Sequence, residues 1–226
     1  FAERSRSASY VARLFLTAGM FGMFFFLSQF LQEILHYGPL ETGFAFLPFT
    51  VALFAMSQLS SRRLVERFGP KRVMVGGFTL STVAMVLLTQ LSGDSSYLSV
   101  LAPIILFGAG NGLGFVPLTS VSLAGVRPDE AGAASGLVNV MQQLGGALGL
   151  AVLVSVFGTV GRSAVTQSVA AARQAFVAGA DHAFIAGTLF VAATVLVTLV
   201  AITGRRAETH AVATSRAPEP EISAAA

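Results

Sequence analysis

The sequence has no cysteine and no tryptophan, and only 11% of its 226 residues are Asp, Glu, Lys or Arg. Without cysteine there can be no disulfide scaffold, no thiolate metal site and no cysteine nucleophile. The scarcity of charge excludes more. A soluble domain carries about a quarter charged residues, and this chain cannot coat a water-soluble globule. What it has is apolar: 54% of residues are hydrophobic and the mean hydropathy is +0.74. The natural solvent is lipid.

Spanning a hydrocarbon layer of ~30 Å takes about 20 apolar residues in a helix. Six stretches qualify, at 11–32, 40–60, 73–91, 97–121, 131–160 and 183–203. Apart from Glu41, the second residue of the second stretch, Arg13 is the only Asp, Glu, Lys, Arg or His inside them. Arg13 lies close to the start of the first stretch, where its side chain is expected to snorkel to the headgroups. No stretch shows the charged stripe of a soluble amphipathic helix. The fold class is therefore an all-α membrane protein with six transmembrane helices. It is flanked by a polar N-terminal segment at 1–10 and a disordered tail at 204–226 rich in Arg, Ala, Pro, Glu and Ser. Residues 1–10 do not form a signal peptide. The chain opens on Phe1 rather than Met, and the expectation is a fragment of a longer protein.

Cation placement sets the direction. With a cytoplasmic N-terminus, twelve of the 14 basic residues fall inside and only Arg162 and Arg173 fall outside. Both ends are then cytoplasmic. Five of the inner cations crowd the connector SSRRLVERFGPKR at 60–72, which reads as a cytoplasmic turn. The net charge of +3 is spread over connectors and tails, so no nucleic-acid face results. The 161–181 connector, longer and Ala-rich, has the makings of a surface helix.

Glycines at 108, 110, 112 and 114 give the fourth stretch two smooth, nearly opposite faces. Pro117 favours a kink there. Gly132/Gly136 and Gly145/Gly149 repeat the pattern in the fifth. Either tight packing or helices that rock against one another would use such faces. Polar residues at membrane depth are costly against lipid. Asn111, Asn139, Gln142, Gln143 and Gln29 are therefore candidates either for interhelical hydrogen bonds or for lining a central cavity beside Phe21, Phe24, Phe25, Phe26 and Phe30. Glu33, His36 and Glu41 form a loop cluster, either solvated or gating. No carboxylate lies in the interior of any stretch, so the coupling acid of an ion-driven carrier is not expected in this chain.

Ser135 and His182 superficially resemble an intramembrane protease pair. The topology places them a membrane thickness apart, which rules out proton transfer between them. No metal-ligand cluster or phosphate loop occurs, and no catalytic residue, metal or cofactor is assigned. The strings GFAFLPFT (43–50) and GLGFVPLT (112–119) echo one another, which reads as coincidence.

LVERFGPKRVMVGG resembles the loop signature of the major facilitator superfamily, with Glu66, Arg67, Gly69 and Lys71 at its charged and glycine positions. Arg62, Glu66 and Pro70 depart from the usual Gly, Asp and Arg. FVPLTSVSLAGVRPDEAGAASGLVNVMQQLGGALGLAV and YGPLETGFAFLP are similar to the late helices of fourteen-helix drug:proton antiporters, many of which carry Arg where Gln142 stands. The resemblance implies a C-terminal half built as a 3+3 inverted repeat and working by alternating access. It implies a small lipophilic substrate, a proton gradient as energy source and a missing N-terminal half. Glu66, Arg67, Gly69, Lys71 and Arg72 would form a conformational latch, and Gly108, Gly112, Pro117, Gly145 and Gly149 hinge or packing points. Location in a bacterial inner membrane follows. A metabolite or sugar carrier of the same superfamily, or a non-transporting six-helix scaffold or assembly subunit, remains the alternative.

Overall fold

The computed structural model describes residues 2–161 and 169–202; the tail at 204–226 lies outside them. Among the described residues six helical spans are long and apolar enough to cross a membrane. The first is one helix, α1 (Ala2–Glu33). It includes the polar start of the chain, so residues 2–10 are helical and not a separate segment. Tyr10 donates to the carbonyl of Ser122 at 3.2 Å, pinning the end of that polar segment to a neighbouring span.

The second span is broken into α2 (Pro39–Ala45), α3 (Leu47–Leu59), a π-helical turn at Ser60–Leu64 and α4 (Val65–Phe68). Its entry is a capping box: the Gly38 amide donates to Glu41 Oε2 at 2.8 Å, and Pro39 takes the first helical position, where no amide is needed. Glu41 is thus a structural cap. Gly69, at φ +81 and ψ 156, separates α4 from α5 (Pro70–Leu88). Only glycine adopts that backbone readily, which is why the loop string needs it.

The fourth span, α6 (Tyr97–Leu123), stays helical through Pro103 and Pro117. Pro117 has no amide to offer Leu113, four residues back. The Ser60 hydroxyl fills the gap, donating to the Leu113 carbonyl at 2.9 Å. At the other end of the pair, Tyr97 Oη donates to the Ala45 carbonyl at the α2–α3 break, at 2.9 Å. The echoed strings each contain one of these interrupted stretches, so the second and fourth spans bond to each other's interrupted backbone. The last spans are α7 (Ala131–Gly161) and α8 (Val169–Ala201). The described part of the 161–181 connector, from Val169, is continuous with α8, and no separate surface helix forms there.

Packing displays the expected inverted repeat. The first span packs on the fifth and sixth (α1 on α7 and α8), and the fourth packs on the second and third (α6 on α3 and α5). Exchanging spans one to three for four to six maps one set onto the other, with directions reversed. The extensive pairing of α7 with α8 has no counterpart between α3 and α5. The main core joins Phe26, Phe30, Phe49, Phe107 and Phe184 with Met23 and Met85. Phe24 meets Phe49 edge-on, with ring centres 4.9 Å apart, and Phe26 lies 5.4 Å from Phe157.

Candidate functional site

Two spans are poorly covered. Of the most apolar stretch, 17% is buried in the second span and 22% in the fifth, against 56% in the first. On the fifth, Asn139 and Gln143 are exposed, one helical turn apart, with Ser135 a turn further toward the start. Gln142 sits beside them, half-buried at the edge that meets α1. On α1 the exposed rings of Phe21 and Phe25 lead to the half-exposed Gln29. Asn139, Gln142 and Gln143 form a polar strip near the middle of the bundle, while Gln29 lies further along, four residues before the end of α1. Lipid is a poor solvent for the uncovered amides of Asn139 and Gln143.

The glycines explain why the strip stays open on one side only. A Cβ at Gly145 would strike the Leu14 carbonyl and Thr17, and one at Gly149 would strike Ala18, so both glycines are spent on close approach to α1. The opposite face of α7 is free. In α6 both faces are spent. Gly108 and Gly112 admit the backbone of α3 at Phe49 and Leu53, while Gly110 and Gly114 admit α5 at Ser81 and Phe78.

Asn111 therefore does not line a cavity. It is fully buried between α5 and α6, where its Nδ2 donates to the Phe107 carbonyl at 2.9 Å and Ser81 Oγ at 3.3 Å. The close approach permitted by Gly77, Gly110 and Gly114 places α5 over that face.

Arg13 is the residue the sequence misplaced. It is 1% exposed rather than reaching toward headgroups. Because α1 begins at Ala2, Arg13 lies nine residues beyond Arg4, about 13 Å deeper. Its guanidinium stacks over Phe115, 4.3 Å from the ring centre. It donates to Thr119 Oγ1 and, at 3.4 Å, to Gln142 Oε1. Its Nε has no partner. The signal was available: an Arg on the core side of α1, among Ala12, Leu16 and Thr17, cannot snorkel.

The loop residues divide. Lys71 Nζ donates to the Leu199 carbonyl at 2.7 Å, fastening the start of α5 to the end of α8. Gly69 makes the turn. Arg67 is exposed and lies 5.4 Å from the Phe68 ring centre. Glu66 and Arg72 are exposed on the same corner. Lys71 thus acts within this bundle. At the opposite end, a cavity of about 840 Å³ is lined by Gln90, Asp94, Arg173 and Asp181, with Arg173 donating to the Gly93 carbonyl.

Six spans packed as an inverted repeat, with Asn139 and Gln143 left uncovered on α7, define an all-helical membrane domain. Residues 3–150 match the family model of the Major Facilitator Superfamily, and the chain belongs to that superfamily. It is 38% identical over 202 residues to the puromycin resistance protein pur8 of Streptomyces alboniger, covering 88% of this chain and 40% of that protein. It is 32% identical over 201 residues to the MFS-type transporter EfpA of Mycobacterium tuberculosis, covering 87% and 38%. The cephamycin export protein CmcT of Amycolatopsis lactamdurans is 33% identical over 150 residues, covering 66% and 31%. The chain thus spans about two fifths of the length of the first relatives it matches.

Proposed function

We propose that this chain is the C-terminal half of a proton-coupled exporter of lipophilic drugs or similar small molecules, working by alternating access in a bacterial inner membrane with both termini cytoplasmic. The observation that carries the reading is the uncovered pair Asn139 and Gln143, with the half-buried Gln142 at its edge, on a poorly covered span of the bundle. A second, N-terminal bundle seated over α2–α4 and α7 would close a chamber around that strip and supply the coupling carboxylate. The relatives named for antibiotic export or resistance support a drug substrate over a sugar or metabolite. The work is transport rather than catalysis, with the proton gradient as its energy source.

Glu66, Arg67 and Arg72 stand exposed on one corner, where they can meet the second bundle in one state and part from it in the other. Gly69 and the Lys71–Leu199 tether hold that corner in place. The test is drug accumulation in cells expressing the full-length protein, with and without a protonophore. Lower accumulation that the protonophore abolishes is the expected result. Equal accumulation with and without the protein, across a panel of lipophilic drugs, would sink the reading.

A further inference from the structure

Arg13 is a buried cation that the transport reading leaves without a task. Glu33, on the same helix, is 20 residues away, about 30 Å along the axis. Asp129, at the near end of the bundle, is bonded to Arg127 at 3.1 Å on the exposed surface. Arg13 thus places a fixed positive charge in the buried interior of the bundle, a region of low dielectric, where its influence reaches further than in water.

Guanidinium groups only donate hydrogen bonds. The Arg13–Gln142 contact therefore fixes the Gln142 amide with its oxygen toward Arg13 and its NH2 group turned away from it. Thr119 is already committed, accepting from Arg13 and donating to the Phe115 carbonyl at 2.9 Å. The part of the half-buried Gln142 amide turned from Arg13, at the edge of the strip beside Asn139 and Gln143, is thus an N–H donor backed by a positive charge. Such a group favours carbonyl, carboxylate and phosphate oxygens and disfavours ammonium groups.

We propose that Arg13, acting through Gln142, makes the substrate chamber select acceptor-rich or anionic molecules over cationic ones. Arg13 is here a positioning residue, and Gln142 is the contact. The inference rests on the export reading and names its substrate class. A purely structural tie would need a donor but not a charge, so the sign of the selectivity separates the two roles.

The probes are fluorescein, an anion, and ethidium, a cation. Binding to the purified full-length protein is followed by fluorescence anisotropy, and export from reconstituted vesicles is measured alongside. The wild type is expected to bind fluorescein at least tenfold more tightly than ethidium. Arg13→Gln is expected to lower that ratio by about tenfold, while Arg13→Lys preserves most of it. Gln142→Leu, which keeps the charge but removes the donor, is expected to lose part of the fluorescein binding without gaining ethidium. It also keeps the test alive should Arg13→Gln fold poorly. A wild-type preference for ethidium would overturn the proposal, as would a ratio unchanged in both Arg13→Gln and Gln142→Leu. Arg13-dependent fluorescein binding without export of either dye would sustain the selectivity and sink the export reading.

Discussion

α6 and α7 look alike on paper and behave differently in the bundle. Each is rich in glycine and carries amide side chains near its middle. In α6 the glycines alternate between two faces, α3 and α5 press in from both sides, and Asn111 ends up sealed against Ser81. In α7 the glycines at 145 and 149 serve only the α1 side, and Asn139 and Gln143 stay uncovered. The fate of a polar residue in a membrane helix is therefore set by which faces the small residues leave to it. Polarity alone says that a partner is needed; the glycine pattern says whether the partner lies within the bundle or beyond it.

The comparison can be broken most directly through the glycines. Gly112→Val would force its Cβ into the Leu53 carbonyl of α3, and overpacking of that kind costs about 1–3 kcal/mol. Gly136→Val, with nothing near its Cβ, is expected to leave thermal stability unchanged. Melting of the full-length protein in detergent compares the two, and equal losses would dissolve the distinction.

Labelling sharpens it next. The sequence contains no cysteine, so single cysteines can be read cleanly. Asn139→Cys and Gln143→Cys are expected to react with a water-soluble maleimide at least tenfold faster than Asn111→Cys. Similar rates at all three positions would return Asn111 to the cavity.

Alanine substitutions split function from stability. Asn111→Ala removes an interhelical bond worth about 0.6–2 kcal/mol and is expected to lower the melting point. Asn139→Ala and Gln143→Ala are expected to leave melting alone and reduce drug transport several-fold. The smallest effect belongs to Ser60→Ala, which uncaps the Leu113 carbonyl at a cost of about 1 kcal/mol and leaves the spans in place.

Much of this fold was legible because hydrophobicity, glycine spacing and turn residues are local signals. The six spans, both faces of α6 and the turn at Gly69 all follow from short strings. The misjudged elements share a physical cause. Residues 2–10 and the described residues 169–182 are polar or Ala-rich, so hydropathy ended the helices early; the backbone continues because neighbouring spans receive it, as the Tyr10–Ser122 bond shows. Arg13 was judged by its distance from a boundary that had been drawn too late. Gln142 and Gln143 were legible as polar and deep. Their exposure depends on where α1 stops covering α7, which no single segment encodes.

The Ser60 cap has a mechanical consequence. Along most of α6, bending means stretching a ladder of backbone bonds that reinforce one another. At Pro117 one rung is a side-chain hydroxyl borrowed from the neighbouring span. Flexure at that level gives up a single weak bond, so α6 is more compliant at Pro117 than along the unbroken ladder beside it. The compliance is controlled from the π-helical turn that leads directly into the charged loop, and strain in the loop is thereby felt as a change in stiffness inside the helix.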